Sequence, residues 1–265
     1  MMTRILLHLH YAGTDFHGWQ KQPHLETVQS ILENAVSKIA GHSVEIIAAG
    51  RTDRGVHALG MAAHFDTTAK RPIHAWVAGV NTFLPRGISV CSAQEVAPSF
   101  HARFDAVSRS YRYVLSNQAI RPDILHGRVG WSFIPLDISQ MFQAAQMLLG
   151  TQDFSSFRSS ECQAKSPIKH MYQADVYQAD GMICFDFKAS GFLHHMIRNI
   201  VGALIYVGSH KISIEQFQQI MDSRSRSIAP PTFMADGLYF TGVEYPENYH
   251  IQPFRLPEWF WGKHQ

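Results

Sequence analysis

The residues best suited to chemistry lie in one short stretch, Ala48 to Gly60, written AAGRTDRGVHALG. Asp53 is its single carboxylate, Arg51 and Arg54 flank it, and Thr52 and His57 stand close by. Flanking cations favour the charged form of a carboxylate, so this spacing sets an anionic oxygen pair among guanidinium donors. Such a cluster suits chemistry on an anionic substrate. A plainer reading stands beside it, a surface loop whose aspartate satisfies turn amides. A hydrolase built from Asp53 and His57 is a third, with no second carboxylate or nucleophile at informative spacing to complete it.

Arg198 is the second candidate. The run Phe192 to Gly208, FLHHMIRNIVGALIYVG, is apolar on nearly every side and predicts a buried helix. A guanidinium inside it needs a paired anion or a route to water. Asp53 is one partner the sequence offers; Asp153, Asp186 and Asp236 are others, and snorkelling to the helix edge is an alternative. An Asp53–Arg198 pair would span a cleft between two halves of the chain. His194-His195 invites a metal, but neighbours on a helix point about 100° apart. No carboxylate or cysteine follows at ligand spacing, so no metal is expected. Arg103, Arg109 and Arg112 form the densest basic segment. Interleaved with Tyr111 and Tyr113, they suit a phosphate backbone with a ring offered to a base; the alternative is a half-buried strand with a solvated basic face.

The elements that must position these groups are legible from periodicity and punctuation. Residues 4–11 predict a first strand, followed by a loop, Ala12 to Gln22, in which Phe16 and Trp19 either close a core or stack on bases. Thr27 caps a helix whose apolar stripe is Val28, Ile31, Leu32, Ala35, Val36 and Ile39, ending at Gly41. Strands at 44–48 and 61–65 enclose the Asp53 loop as an antiparallel hairpin. Residues 72–83 predict a helix, 88–93 and 108–115 strands, and Leu136 to Leu149 a helix capped by Asp137. A hairpin turns at Asp180-Gly181, Ser213 opens a capping-box helix to Met221, and Leu238 to Val243 is the last strand.

Mostly antiparallel strands and helices in this order give an α+β fold of two pseudo-duplicated α/β halves. Residues 1–105 carry the Asp53 loop, 106–246 the arginine helix, and 247–265 form an aromatic, proline-bearing tail that wraps the body or a partner. The net charge is only +2 with 23 Lys+Arg against 21 Asp+Glu, so an RNA-binding surface has to be a local patch. Three widely spaced cysteines without a C-x-x-C pair favour a reducing compartment and exclude a disulfide framework or zinc knuckle. No apolar run reaches membrane-spanning length, and His8 and His10 interrupt the N-terminal one. A cytoplasmic enzyme is expected.

Several segments resemble, in order, the tRNA pseudouridine synthases of the TruA type. They are YAGTDFHGWQ from Tyr11, AGRTDRGVHA, FHARFDAVSRSYRY, DFSSF from Asp153, GFLHHMIRNIVG, and Pro231-Thr232 followed by Gly237-Leu238-Tyr239. The resemblance spans about residues 4–246; the loop APPTFMA from Ala229 departs from the usual Ala-Pro-rich form. It implies the pseudouridine synthase fold with a mixed, mostly antiparallel sheet and a central cleft. It also implies conversion of uridine to pseudouridine in the anticodon stem-loop of tRNA, at positions 38 to 40. No metal or organic cofactor is implied, and tRNA is held across a homodimer. Residue by residue, Asp53 matches the essential aspartate, Tyr111 the tyrosine that packs on the target base, and Arg198 the basic residue paired with the aspartate. Arg51 resembles the arginine that assists base flipping. Arg54, His57, Arg103, Arg109 and Arg112 complete the expected substrate-binding set. An RNA-binding protein without turnover is the competing reading, separable from an enzyme by Asp53→Asn.

Overall fold

The computed structural model describes residues 2–252, 254–257, 260 and 261. Its strands and α-helices run β1 (Thr3–Tyr11), α1 (Val28–Ala40), β2 (Ile47–Ala48), β3 (His57–Thr67), β4 (Ile88–Val96), β5 (Ser108–Asn117), β6 (Gly130–Ser132), α2 (Ile138–Gln146), β7 (Gly150–Asp153), β8 (Ile168–Ala179), β9 (Met182–Ala189), α3 (Met196–Gly208), α4 (Ile214–Ser223) and β10 (Leu238–Glu244). The chain divides into two units. One is Met1–Val107 with Tyr239–Leu256; the other is Ser108–Leu238 with Pro257–Gln265. The sequence expectation kept everything from 106 to 246 in one half. The last strand instead returns to the first unit, because Tyr239 and Phe240 pair in parallel with His57 and Ala58 of β3.

In the first unit β1 lies between β4 and β3, antiparallel to both, and β3 lies between β1 and β10. The sequence makes α1 a helix for readable reasons. Thr27 accepts the Ser30 amide and Ser30 bonds back to the Thr27 amide, closing both ends of a capping box. Gly41, at φ 75°, ends the helix in the left-handed region. Val28, Leu32, Ala35 and Val36 are buried, the stripe that period 3.6 requires. Phe16 and Trp19 are core residues at 4% and 2% exposure, so they close the core and leave no stacking face.

The expected strand at 44–48 shrinks to the two residues of β2, which pair with Ala63 and His64. Its lead-in bonds to helix side chains instead of a ladder: the Val44 amide donates to Ser37 Oγ, and the Ile46 amide to Glu33 Oε1. The helix expected over 72–83 covers 73–81 and widens to a π turn at Ala75–Gly79. Gly79 there approaches Ile39 Cδ1 too closely for a Cβ.

The second unit strings β5, β9, β8 and β7 antiparallel, with β6 parallel to β5. Asp180 and Gly181, at φ 51° and 76°, make the two-residue turn expected between β8 and β9. Asp137 and Ser213 cap α2 and α4 as the sequence predicts. Helix α3 begins four residues later than expected. His195 takes φ 61°, which a helix interior excludes, and the backbone before it bonds elsewhere. The His194 amide points at Cys162 Sγ, and the His194 carbonyl accepts the Ser159 amide.

Described residues after β10 pack on the unit to which each belongs. Within the first unit Tyr245 donates to the Ala102 carbonyl, and Phe254 packs edge-on against His10. Within the second, Phe260 is 1% exposed beside the Arg112 guanidinium. Pro253, Glu258, Trp259 and residues 262–265 of that tail lie outside the described residues.

Candidate active site

The Asp53 turn is built from main chain. Thr52 O accepts the Trp19 amide at 3.0 Å, Asp53 O accepts the Val56 amide at 3.1 Å, and Gly13 O accepts the Gly55 amide at 3.2 Å. Ala49 N–H reaches back to Ala62 O and anchors the entry to β3. Two glycines of the 12–22 loop permit this approach. A Cβ at Gly13 would run into the Val56 carbonyl, and Gly18, at φ 80°, faces the Thr52 carbonyl. Beside these, Tyr11 Oη bonds Thr52 Oγ1 at 2.8 Å. From behind, α1 holds both supports. Gln29 Oε1 accepts the Lys21 amide, while Gln29 Nε2 donates to the Ile46 carbonyl and to Glu33. Asp53 is half-buried, and Arg51 and Arg54 are exposed on either side of it.

His57 was expected to meet substrate, and the structure assigns it a different place. It is 1% exposed, accepts the Gly13 amide on Nδ1 at 3.1 Å, and stacks on Tyr239 at 4.6 Å. A ring enclosed in this way fixes the loop. It cannot serve the Asp53/His57 hydrolase reading either.

In the second unit Tyr111 lies on β5 opposite Phe187, half-buried, with its ring edge-to-face against Phe192 at 5.0 Å. Phe192 lies before α3, not within it as the apolar run suggests. Arg198, in the first turn of α3, is half-buried and donates Nε–H to the Phe233 carbonyl at 2.9 Å; its own carbonyl accepts the Phe233 amide at 3.2 Å. Of the carboxylates considered for it, Asp186 is engaged by Arg112, and Asp153 accepts the Ser155 amide and lies 3.8 Å from Arg224.

The three arginines expected to track phosphate separate. Arg103 is exposed, Arg109 is half-buried with Nη1 on the Ser190 carbonyl, and Arg112 is buried at 4%. Arg112 forms a two-pronged bridge to Asp186, at 2.6 and 2.8 Å, and also donates to the Trp261 carbonyl. Burial pulls its pKa down and Asp186 pulls it up further, so it stays a cation. It is a structural residue, and β5 has no solvated basic face at that position. His194 and His195 precede the helix, so the helical angle invoked against a shared ligand does not apply; their rings lie 4.0 Å apart.

Comparison with known proteins gives a consistent result. A family model described as tRNA pseudouridine synthase matches residues 8–105 and 144–246. The chain is 56% identical over 252 residues to tRNA pseudouridine synthase A of Neisseria meningitidis serogroup C (strain 053442), covering 95% of each. It is 53% identical over 249 residues to the protein of that name from Chromobacterium violaceum, covering 94% of this chain and 95% of the other. For that of Methylobacillus flagellatus the identity is 52% over 242 residues, covering 91% and 93%.

Proposed function

This chain belongs to the tRNA pseudouridine synthase family, and we propose that Asp53 is its catalytic carboxylate, acting on uridines 38 to 40 of the tRNA anticodon arm. The enzyme is an isomerase: uridine enters and pseudouridine leaves, with nothing added or removed overall. The N1–C1′ bond breaks, uracil turns, C5 bonds to C1′, and the C5 proton is released as N1 gains one. Asp53 contributes either by attacking C1′ or by taking the C2′ proton. Both roles require the anionic form, and Arg198 is the cation proposed to face it.

Tyr111 packs on the extruded base, and Arg51 helps draw that base from its stack. Arg54, Arg103 and Arg109 contact phosphates, so binding weakens as salt rises. The protein acts as a homodimer in the cytoplasm, where its three cysteines, all free thiols, suit a reducing medium. Among the described residues no helix is long and apolar enough to cross a membrane.

The observation that carries this reading is the Asp53 turn itself, a half-buried carboxylate on a backbone fixed by main-chain hydrogen bonds on both sides. The test uses tRNA labelled with tritium at uridine C5, since isomerisation expels that atom. Asp53→Asn is expected to lower tritium release at least about a thousandfold while filter-bound tRNA is largely retained. Undiminished release by Asp53→Asn would refute the assignment.

A further inference from the structure

Helix α3 is gripped along one side by the segment Arg226–Phe233, and the grip is centred on the residue next to Arg198. Asn199 is 1% exposed, and both ends of its amide are used. Nδ2 donates to the Phe157 carbonyl at 2.8 Å. Oδ1 accepts the Thr232 hydroxyl at 2.6 Å and Arg226 Nη2 at 3.3 Å. Arg226 Nη2 also donates to Thr232 Oγ1 at 3.2 Å, and Nη1 to the Ala229 carbonyl at 2.9 Å. One helical turn on, Gly202 lets the Pro231 carbonyl approach where a Cβ would collide with it. The residue after Thr232 is Phe233, whose amide and carbonyl are those that bond Arg198.

We propose that Thr232, with Asn199 and Arg226, is a positioning residue for Arg198: the triad sets the Phe233 carbonyl, and that carbonyl fixes the direction of the Arg198 guanidinium. This rests on the reading of Arg198 as a catalytic residue. The physical case is that a guanidinium on a long stem has many rotamers, and holding Nε at one fixed acceptor removes most of them. The acceptor is a loop carbonyl, and it is only as fixed as its neighbours. Thr232 is fixed by two partners, one of them buried within the helix that carries Arg198.

The test is a kinetic comparison on tritium-labelled tRNA. Thr232→Val keeps the shape and removes the hydroxyl. We expect kcat to fall about tenfold, the equivalent of one hydrogen bond, with KM within about twofold and activity restored by Thr232→Ser. Arg226→Gln, which removes the longer contact to Asn199 Oδ1, should give a smaller loss of the same kind and keeps the test open if Thr232→Val does not fold. In an Arg198→Lys background the Thr232→Val effect should disappear, because the group being aimed is gone. Unchanged kcat in folded Thr232→Val and Arg226→Gln, or an equal loss in both backgrounds, overturns the proposal. Full kcat in Arg198→Lys and Arg198→Ala alone would instead refute the catalytic reading of Arg198.

Discussion

The two units hold their chemistry by different means. The first supports Asp53 chiefly with main-chain bonds and two glycines, helped by His57, which is buried on β3 and accepts the Gly13 amide, and by Gln29 and Glu33 from α1. The second supports its groups with side chains, among them a buried ion pair on β5 and β9 and the Asn199–Thr232–Arg226 triad. Backbone supports tolerate exchange of side chains and reject added volume. Side-chain supports respond to the loss of a single atom. His8, His10 and His64, whose pKa values burial lowers, also make the first unit the acid-sensitive one, whereas Arg112 remains charged throughout the working range.

The largest test of that contrast is Arg112→Met. It leaves Asp186 with Tyr177 as its hydrogen-bond donor and without its cation, and should lower stability by about 3–5 kcal/mol, while Arg112→Met with Asp186→Leu regains most of it. Urea unfolding measures both; a loss below about 1 kcal/mol in the single variant would mean the pair behaves as a surface bridge.

Second is acid. Burial, then the charges of Arg4 and His101, hold the His64 pKa down at about 4, although Asp66 and Asp105 pull it upward. Burial lowers His8 and His10 as well. A depressed histidine pKa means that the unfolded chain binds the proton first. Stability therefore falls as pH drops from about 6.5 toward 4, by about 2–3 kcal/mol for His64 alone at pH 4.5. His64→Gln should flatten that slope in urea melts at pH 7 and 4.5; an unaltered slope would place the acid sensitivity elsewhere.

Third, Gly13→Ala adds one methyl against the Val56 carbonyl and should cost about 1–3 kcal/mol, together with a fall in kcat, because the displaced atom belongs to the Asp53 turn. A drop in melting temperature with kcat intact would show that the turn absorbs the shift. The smallest effect is expected from Tyr11→Phe, which removes the side-chain bond to Thr52. About 1 kcal/mol of stability is at stake there, and activity should stay within about threefold. A tenfold loss would show that activity depends on this side-chain bond and not on the main-chain supports alone.

Local signals were readable and distant ones were not. The capped ends of α1, α2 and α4, the Asp180-Gly181 turn and the hairpin around Asp53 all follow from residues within a few positions of one another. Arg112 was misjudged because its partner is 74 residues away on β9, and alternation along β5 says which face it takes but not what covers that face. His57 was misplaced for the same reason: its burial comes from Gly13 and from Tyr239, far along the chain. The start of α3 was set too early because hydropathy cannot register one residue at positive φ. Asn199 was visible in the sequence as the polar neighbour of Arg198, but nothing local linked it to Thr232.

The return of β10 to pair with β3 has a consequence for synthesis. In a chain made from its N-terminus, His57 and Ala58 at one end of β3 must wait for Tyr239 and Phe240, 182 positions later, before that part of the edge is paired. The stretch from Ser108 to Leu238 can therefore complete its own strands and helices first. For that interval the nascent protein carries a short unsatisfied stretch of sheet edge of the kind that recruits chaperones or a second nascent strand.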